Sequence, residues 1–132
     1  MKTLRILLFL LLPFAFACEK DEAKIADRLD GQWLVTSCFD NSRFDLEGKT
    51  ISFTADGSAV KLTLSISGQS YSTNCNITAF SDHNANLSIS SFSPSYAEEA
   101  YLIGTYEIVE ESPTATTLKR NNTTDTIKLT KK

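Results

Sequence analysis

The sequence predicts an all-β protein, an antiparallel up-and-down barrel of about eight strands. Three observations predict it. Val60, Leu62, Leu64 and Ile66 alternate with Lys61, Thr63 and Ser65, so that stretch has one apolar face and one wet face. Turn signals recur at short intervals, among them Asp56-Gly57, Gly68-Gln69, Ser81-Asp82-His83-Asn84 and Ser112-Pro113. Beyond the N-terminal segment, Ser, Thr and Asn fall between apolar residues, and no Ala/Leu run has helical spacing. Consecutive strands joined by short turns pair most economically with their neighbours. Closing such a sheet on itself removes its exposed edges.

In chain order, Ile25 to Leu29 has room for one helical turn with Ile25 and Leu29 on one face. Gly31 to Phe39 reads as the first strand, with Trp33, Val35 and Phe39 on one face and Leu34, Thr36 and Cys38 on the other. Asp40-Asn41-Ser42 reads as a turn. Lys49 to Thr54 follows with Ile51 and Phe53 inward, then the Asp-Gly hairpin and the strand ending at Ile66. Tyr71, Thr73, Cys75 and Ile77 alternate along a fourth strand, and Leu87 and Ile89 mark a fifth, closed by Pro94. Ala97 to Ala100 suggests a helical turn. Tyr101 to Glu110 is a strand with Tyr106 and Ile108 opposite Val109. Thr116 to Lys119 and Thr126 to Thr130 form a last hairpin.

The N-terminus has a different character. Lys2 and Arg5 precede an almost wholly apolar run from Ile6 to Phe16, the pattern of a secretory signal peptide. The run is shorter than the roughly 20 residues a spanning helix needs. Ala15 and Ala17 stand at the −3 and −1 positions before Cys18. Two outcomes share that bond: lipoprotein cleavage with acylation of Cys18, or ordinary signal cleavage leaving a cysteine. Glu19-Lys20-Asp21-Glu22 resembles the acidic export signal that follows the cysteine of surface lipoproteins of the Bacteroidota type, although Ala15 stands where a lipobox prefers Leu. That resemblance implies an outer-membrane lipoprotein, on the cell surface or the periplasmic face. Its domains would be a signal peptide over 1–17, a lipidated cysteine and solvated tether over 18–28, and a barrel over 29–132. Each buried acyl methylene contributes about 0.8 kcal/mol, so two or three chains hold a soluble domain at a membrane.

Removing residues 1–17 from the 132-residue chain takes away Lys2 and Arg5 and turns a net charge of −3 into −5. The remaining Lys and Arg residues are scattered, and nucleic acid is not an expected partner. Cys38 and Cys75 remain as an even pair in an exported domain. They could bridge, or they could lie buried as small hydrophobes.

Leu29-Asp30-Gly31-Gln32-Trp33-Leu34 resembles the Gly-x-Trp opening of lipocalin-like small bacterial lipoproteins. Gly104-Thr105-Tyr106-Glu107-Ile108 and Asp125-Thr126-Ile127-Lys128-Leu129-Thr130 resemble later strands of the same group. This calycin-like resemblance implies a tryptophan plugging one end of the barrel, with a basic residue of the last strand beside it, for which Lys128 is the candidate. It also implies that Trp33, Phe53, Leu62, Leu64, Tyr71 and Tyr106, with Ile89, could line a cavity for a small apolar ligand; otherwise they fill the core. Asn74-Cys75-Asn76 resembles the Cys-Asn element of META-type envelope domains, which ranks second.

No pattern of catalytic chemistry emerges. His83 stands alone in a turn, and Glu98-Glu99 and Glu110-Glu111 are adjacent pairs that a strand would point to opposite faces. Zinc spacing, phosphate loops and nucleophile elbows are absent from the sequence. The expectation is therefore a non-enzyme without metal or cofactor. It binds a small apolar ligand or an envelope protein, with an accessory role in an envelope complex or a protease-inhibitor-like role as alternatives.

Overall fold

A computed structural model describes residues 21–39, 46–95 and 99–132. The signal segment, Cys18, the 40–42 turn and Glu98 lie outside the described residues. A helix α1 (Asp21–Leu29) leads into eight strands: β1 (Gly31–Cys38), β2 (Thr50–Asp56), β3 (Ala59–Ile66), β4 (Gln69–Ser81), β5 (Asn84–Ile89), β6 (Gly104–Ser112), β7 (Ala115–Arg120) and β8 (Thr126–Lys131). Every strand pairs antiparallel with its sequence neighbour, and β1 pairs with β8 to close the barrel. The expected all-β up-and-down architecture is the observed one.

The alternation in β3 behaves as the pattern requires. Val60, Leu62 and Leu64 are buried and Lys61 is exposed. They meet Phe53 and Ile51 of β2 on one side and Cys75 and Thr73 of β4 on the other. Leu87 and Ile89 of β5, Tyr106 and Ile108 of β6, Leu118 of β7 and Ile127 and Leu129 of β8 complete the inner surface. Full burial of such a side chain contributes about 1.5–3 kcal/mol. An eight-stranded barrel has an interior just wide enough for side chains to fill.

Helix α1 is longer than one turn and begins inside the stretch expected to be a solvated tether. Ile25, Ala26 and Leu29 share a buried face packed on β2, β3 and β4. Asp21 and Glu22 in the first turn and Arg28 in the last complement the helix dipole. The Glu22 carboxylate accepts from the Ala79 amide at 3.4 Å, which ties the first turn to β4. Asp21, Glu22 and Lys24, which read as spacer, lie in this amphipathic helix.

Two more differences have local causes. Cys38 lies inside the barrel, on the same side as Trp33 and Val35, because the β1–β8 register shifts between Val35 and Ser37. Such a bulge moves every later side chain to the opposite face. Tyr101 does not open β6. It closes a 3₁₀ turn (Glu99–Tyr101), and the strand starts at Gly104, whose φ of +153° suits glycine.

No disulfide joins Cys38 and Cys75, and both are buried. They belong to β1 and β4, separated around the wall by β2 and β3. Burial pushes the Cys75 thiol up to about 12, against a small opposing effect of a hydrogen bond with the Leu62 backbone.

Candidate functional site

Up-and-down topology sorts the connections to two ends. At one end lie α1, the turns around Gly57, His83 and Pro113, and the close of β8. At the other lie residues 46–49, the turn at Gly68, the 90–103 connection and the 121–125 turn.

The first end is organised by Trp33, which is 1% exposed. Its Nε1 donates to the Leu29 carbonyl at 2.7 Å, satisfying a backbone acceptor at the end of α1. Gly31, at φ +122°, turns the chain between helix and strand. Lys131, directly opposite Trp33 in the β1–β8 register, holds its Nζ 5.4 Å from the ring centroid. A Cβ on Gly31 would come 3.2 Å from Lys131 Cε, so the glycine also leaves room for the lysine stem. The basic residue beside the tryptophan is thus Lys131. Lys128 is exposed on the outer face.

The second end repeats the arrangement. Leu102-Ile103-Gly104-Thr105-Tyr106 matches Leu29-Asp30-Gly31-Gln32-Trp33 position for position in its leucine, glycine and aromatic. Tyr106 Oη donates to the Leu102 carbonyl at 2.8 Å. Arg120, opposite Tyr106 in the β6–β7 register, lies with its guanidinium 5.3 Å from the Tyr106 ring and 4.7 Å from the Phe39 ring. Its terminal nitrogen donates to the Tyr106 hydroxyl at 2.8 Å and also to the Tyr101 carbonyl. A half-turn about an axis passing between β3 and β4 and between β7 and β8 carries β1 onto β6 and β8 onto β7. The two motifs are related by that approximate dyad. Burial raises the Tyr106 phenol above its ordinary value, partly opposed by Arg120.

A pocket of about 390 Å³ opens at the Trp33 end. It is lined by Arg28, Trp33, His83, Glu110, Ser112, Pro113, Thr116 and Lys131. Helix α1 covers the β2–β4 side of this end, and the pocket occupies the β6–β8 side that the helix leaves open. Arg28 Nε donates to Glu110 Oε1 at 2.8 Å and its terminal nitrogen to the Asp82 carbonyl. His83 Nδ1 lies 3.6 Å from Glu110 Oε2. Glu110 thereby clasps α1 and the β4–β5 turn at the pocket rim.

Of the residues that could line a ligand cavity on the sequence, only Trp33 borders this pocket; His83 and Glu110, read from the sequence as a lone histidine and an adjacent acidic pair, border it too. Phe53, Leu62 and Leu64 are buried in the wall formed by β2 and β3, and Ile89 in β5. Tyr106 is at the opposite end. Tyr71 is half-buried near the start of β4, its hydroxyl 3.2 Å from Gln69 Oε1. They are core residues and do not surround one cavity. Arg28, Glu110, Pro113, Thr116 and Lys131 were not singled out as site residues. Their sequence separation hides them; the repeated Leu-x-Gly-x-aromatic pattern was the available clue, since it marks both barrel ends.

Among the described residues, no cluster of three or more His, Cys, Asp or Glu could hold a metal ion, and no helix is long and apolar enough to cross a membrane. Fold and geometry define a small eight-stranded antiparallel β-barrel protein, compatible with ligand binding. No family model, no curated protein and no solved structure matches the chain.

Proposed function

We propose that the protein is an envelope lipoprotein, attached through Cys18, whose lipocalin-like barrel carries a small ligand at its Trp33 end. Lys2 and Arg5, the apolar run to Phe16, Ala15 and Ala17, and the acidic residues after Cys18 support the anchor. The observation that carries the ligand reading is the pocket of about 390 Å³ against the Trp33 ring. It lies within the range of about 300–1,000 Å³ that small-molecule sites occupy. The ligand is placed at the barrel end because the inner wall residues are filled by their own neighbours.

A rival reading rests on the outer surface. Phe80 is 66% exposed and Val109 38% exposed, both near the Trp33 end, so an envelope protein could dock there. Native mass spectrometry of protein isolated from its own host separates the two. A small-molecule adduct lost in Trp33→Ala supports the carrier; a protein adduct lost in Phe80→Ser, with no small adduct, overturns it. Mass spectrometry of the N-terminal peptide checks the anchor: a diacylglyceryl mass on Cys18 is expected, and an unmodified cysteine ends that part.

A further inference from the structure

Resting on the ligand reading of the Trp33-end pocket, the geometry points to an amphipathic monoanion as its occupant, a carboxylate on a short apolar body, with Lys131 receiving the head group.

Two cationic side chains, Arg28 and Lys131, and the imidazole of His83 border the pocket, against one carboxylate, Glu110. Glu110 Oε1 accepts from Arg28 Nε at 2.8 Å, and its Oε2 lies 3.6 Å from His83 Nδ1. Arg28 in turn spends a terminal nitrogen on the Asp82 carbonyl. Asp82 lies on the far side of His83, 3.7 Å from its Nε2.

Lys131 is different. Among the described residues its ammonium makes one hydrogen bond, a long one of 3.5 Å to the Arg28 carbonyl. Among the described residues no carboxylate pairs with it. An ammonium carries three donors, so two remain unspent. The group is half-buried against the Trp33 face, and cation–π attraction there offsets only part of its lost hydration. A carboxylate entering beside it would form a charge-assisted hydrogen bond in reduced dielectric. Gly31 keeps the lysine stem in this position, because a side chain there would meet Lys131 Cε.

The rest of the lining sets the body of the ligand. Pro113 and the aliphatic stems of Arg28 and Lys131 present apolar surface above the buried Trp33 ring. About 390 Å³, at the small end of ligand pockets, admits a short chain or one ring. Glu110 in the same lining repels a second negative charge, which favours a monoanion over a phosphate monoester.

Trp33 is the chain's one tryptophan, so its emission reports on the pocket directly. The mature chain is titrated with octanoate and with octanol at low ionic strength. Octanoate is expected to bind at least tenfold more tightly than octanol. Lys131→Gln should erase that preference while leaving octanol binding in place, which also shows that the variant is folded. Lys131→Arg should retain it. Equal binding of the two probes by the unmodified chain, or a preference that survives Lys131→Gln, overturns the head-group assignment and leaves the pocket reading standing. If neither probe changes Trp33 emission, the pocket reading itself fails and takes this one with it.

Discussion

Trp33 and Tyr106 hold matching places at opposite ends of the barrel. Each follows a leucine and a positive-φ glycine, each donates to the leucine carbonyl four residues back, and each carries a cation opposite it in register. The cations differ. Arg120 is shared by two rings, the Tyr106 hydroxyl, the Tyr101 carbonyl and an ion pair at 3.6 Å with Asp125. Its Nε alone is buried without a hydrogen-bond partner, facing Gly104. Lys131 has one ring and one distant carbonyl. One local motif thus holds two differently engaged cations, and the difference comes from what surrounds it. Leu46, Phe92 and Leu102 are buried beyond Tyr106, whereas α1 covers only part of the Trp33 end.

The largest expected difference is between the cations. Arg120→Met should cost about 2–3 kcal/mol, since it strands the Tyr101 carbonyl and removes two ring contacts. Lys131→Met should cost less than about 1 kcal/mol. Urea unfolding of both variants measures this, and equal losses would break the distinction between the ends.

A smaller effect separates the glycines. Gly31→Ala meets both a φ of +122° and a 3.2 Å approach to Lys131 Cε, and should cost about 2 kcal/mol. Gly104→Ala has 3.7 Å to Arg120 Nε and a φ of +153°, and should cost about 1 kcal/mol. Thermal unfolding of the pair ranks them; a larger loss at Gly104 would contradict the packing described at the Trp33 end.

The remaining effect is alkaline. Cys75 is raised from 9.0 to about 12 in the folded protein, and Tyr106 is raised as well. Their folded states therefore hold protons that the unfolded chain releases. Stability is fully present below about pH 9 and falls as pH rises from there toward 12, by about 1.4 kcal/mol per unit for each such proton. Cys75→Ala should flatten that decline from pH 9 upward. Tyr106→Phe should act only above pH 10, where the phenol adds to the thiol. Chemical denaturation at stepped pH follows both.

Much of the barrel was legible because its determinants are local. A period of two along β3, and turn residues at Gly57, Gly68, His83 and Pro113, specify strands and hairpins within a few residues of themselves. What escaped depends on pairing. The shift between Val35 and Ser37 that turns Cys38 inward exists only in the β1–β8 ladder. The amphipathic face of α1 is three buried residues in nine, too short a pattern to outweigh its charges. The pocket joins Arg28 to Glu110 and Trp33 to Lys131, partners that barrel closure alone brings together.

The early start of α1 has a geometric consequence. Asp21 is three residues beyond Cys18, a reach of about 10 Å when fully extended. On the proposed anchor the barrel has almost no leash. The Trp33 end, where α1 leads into β1, would be the end nearer that anchor, so any cargo would be exchanged close to the membrane.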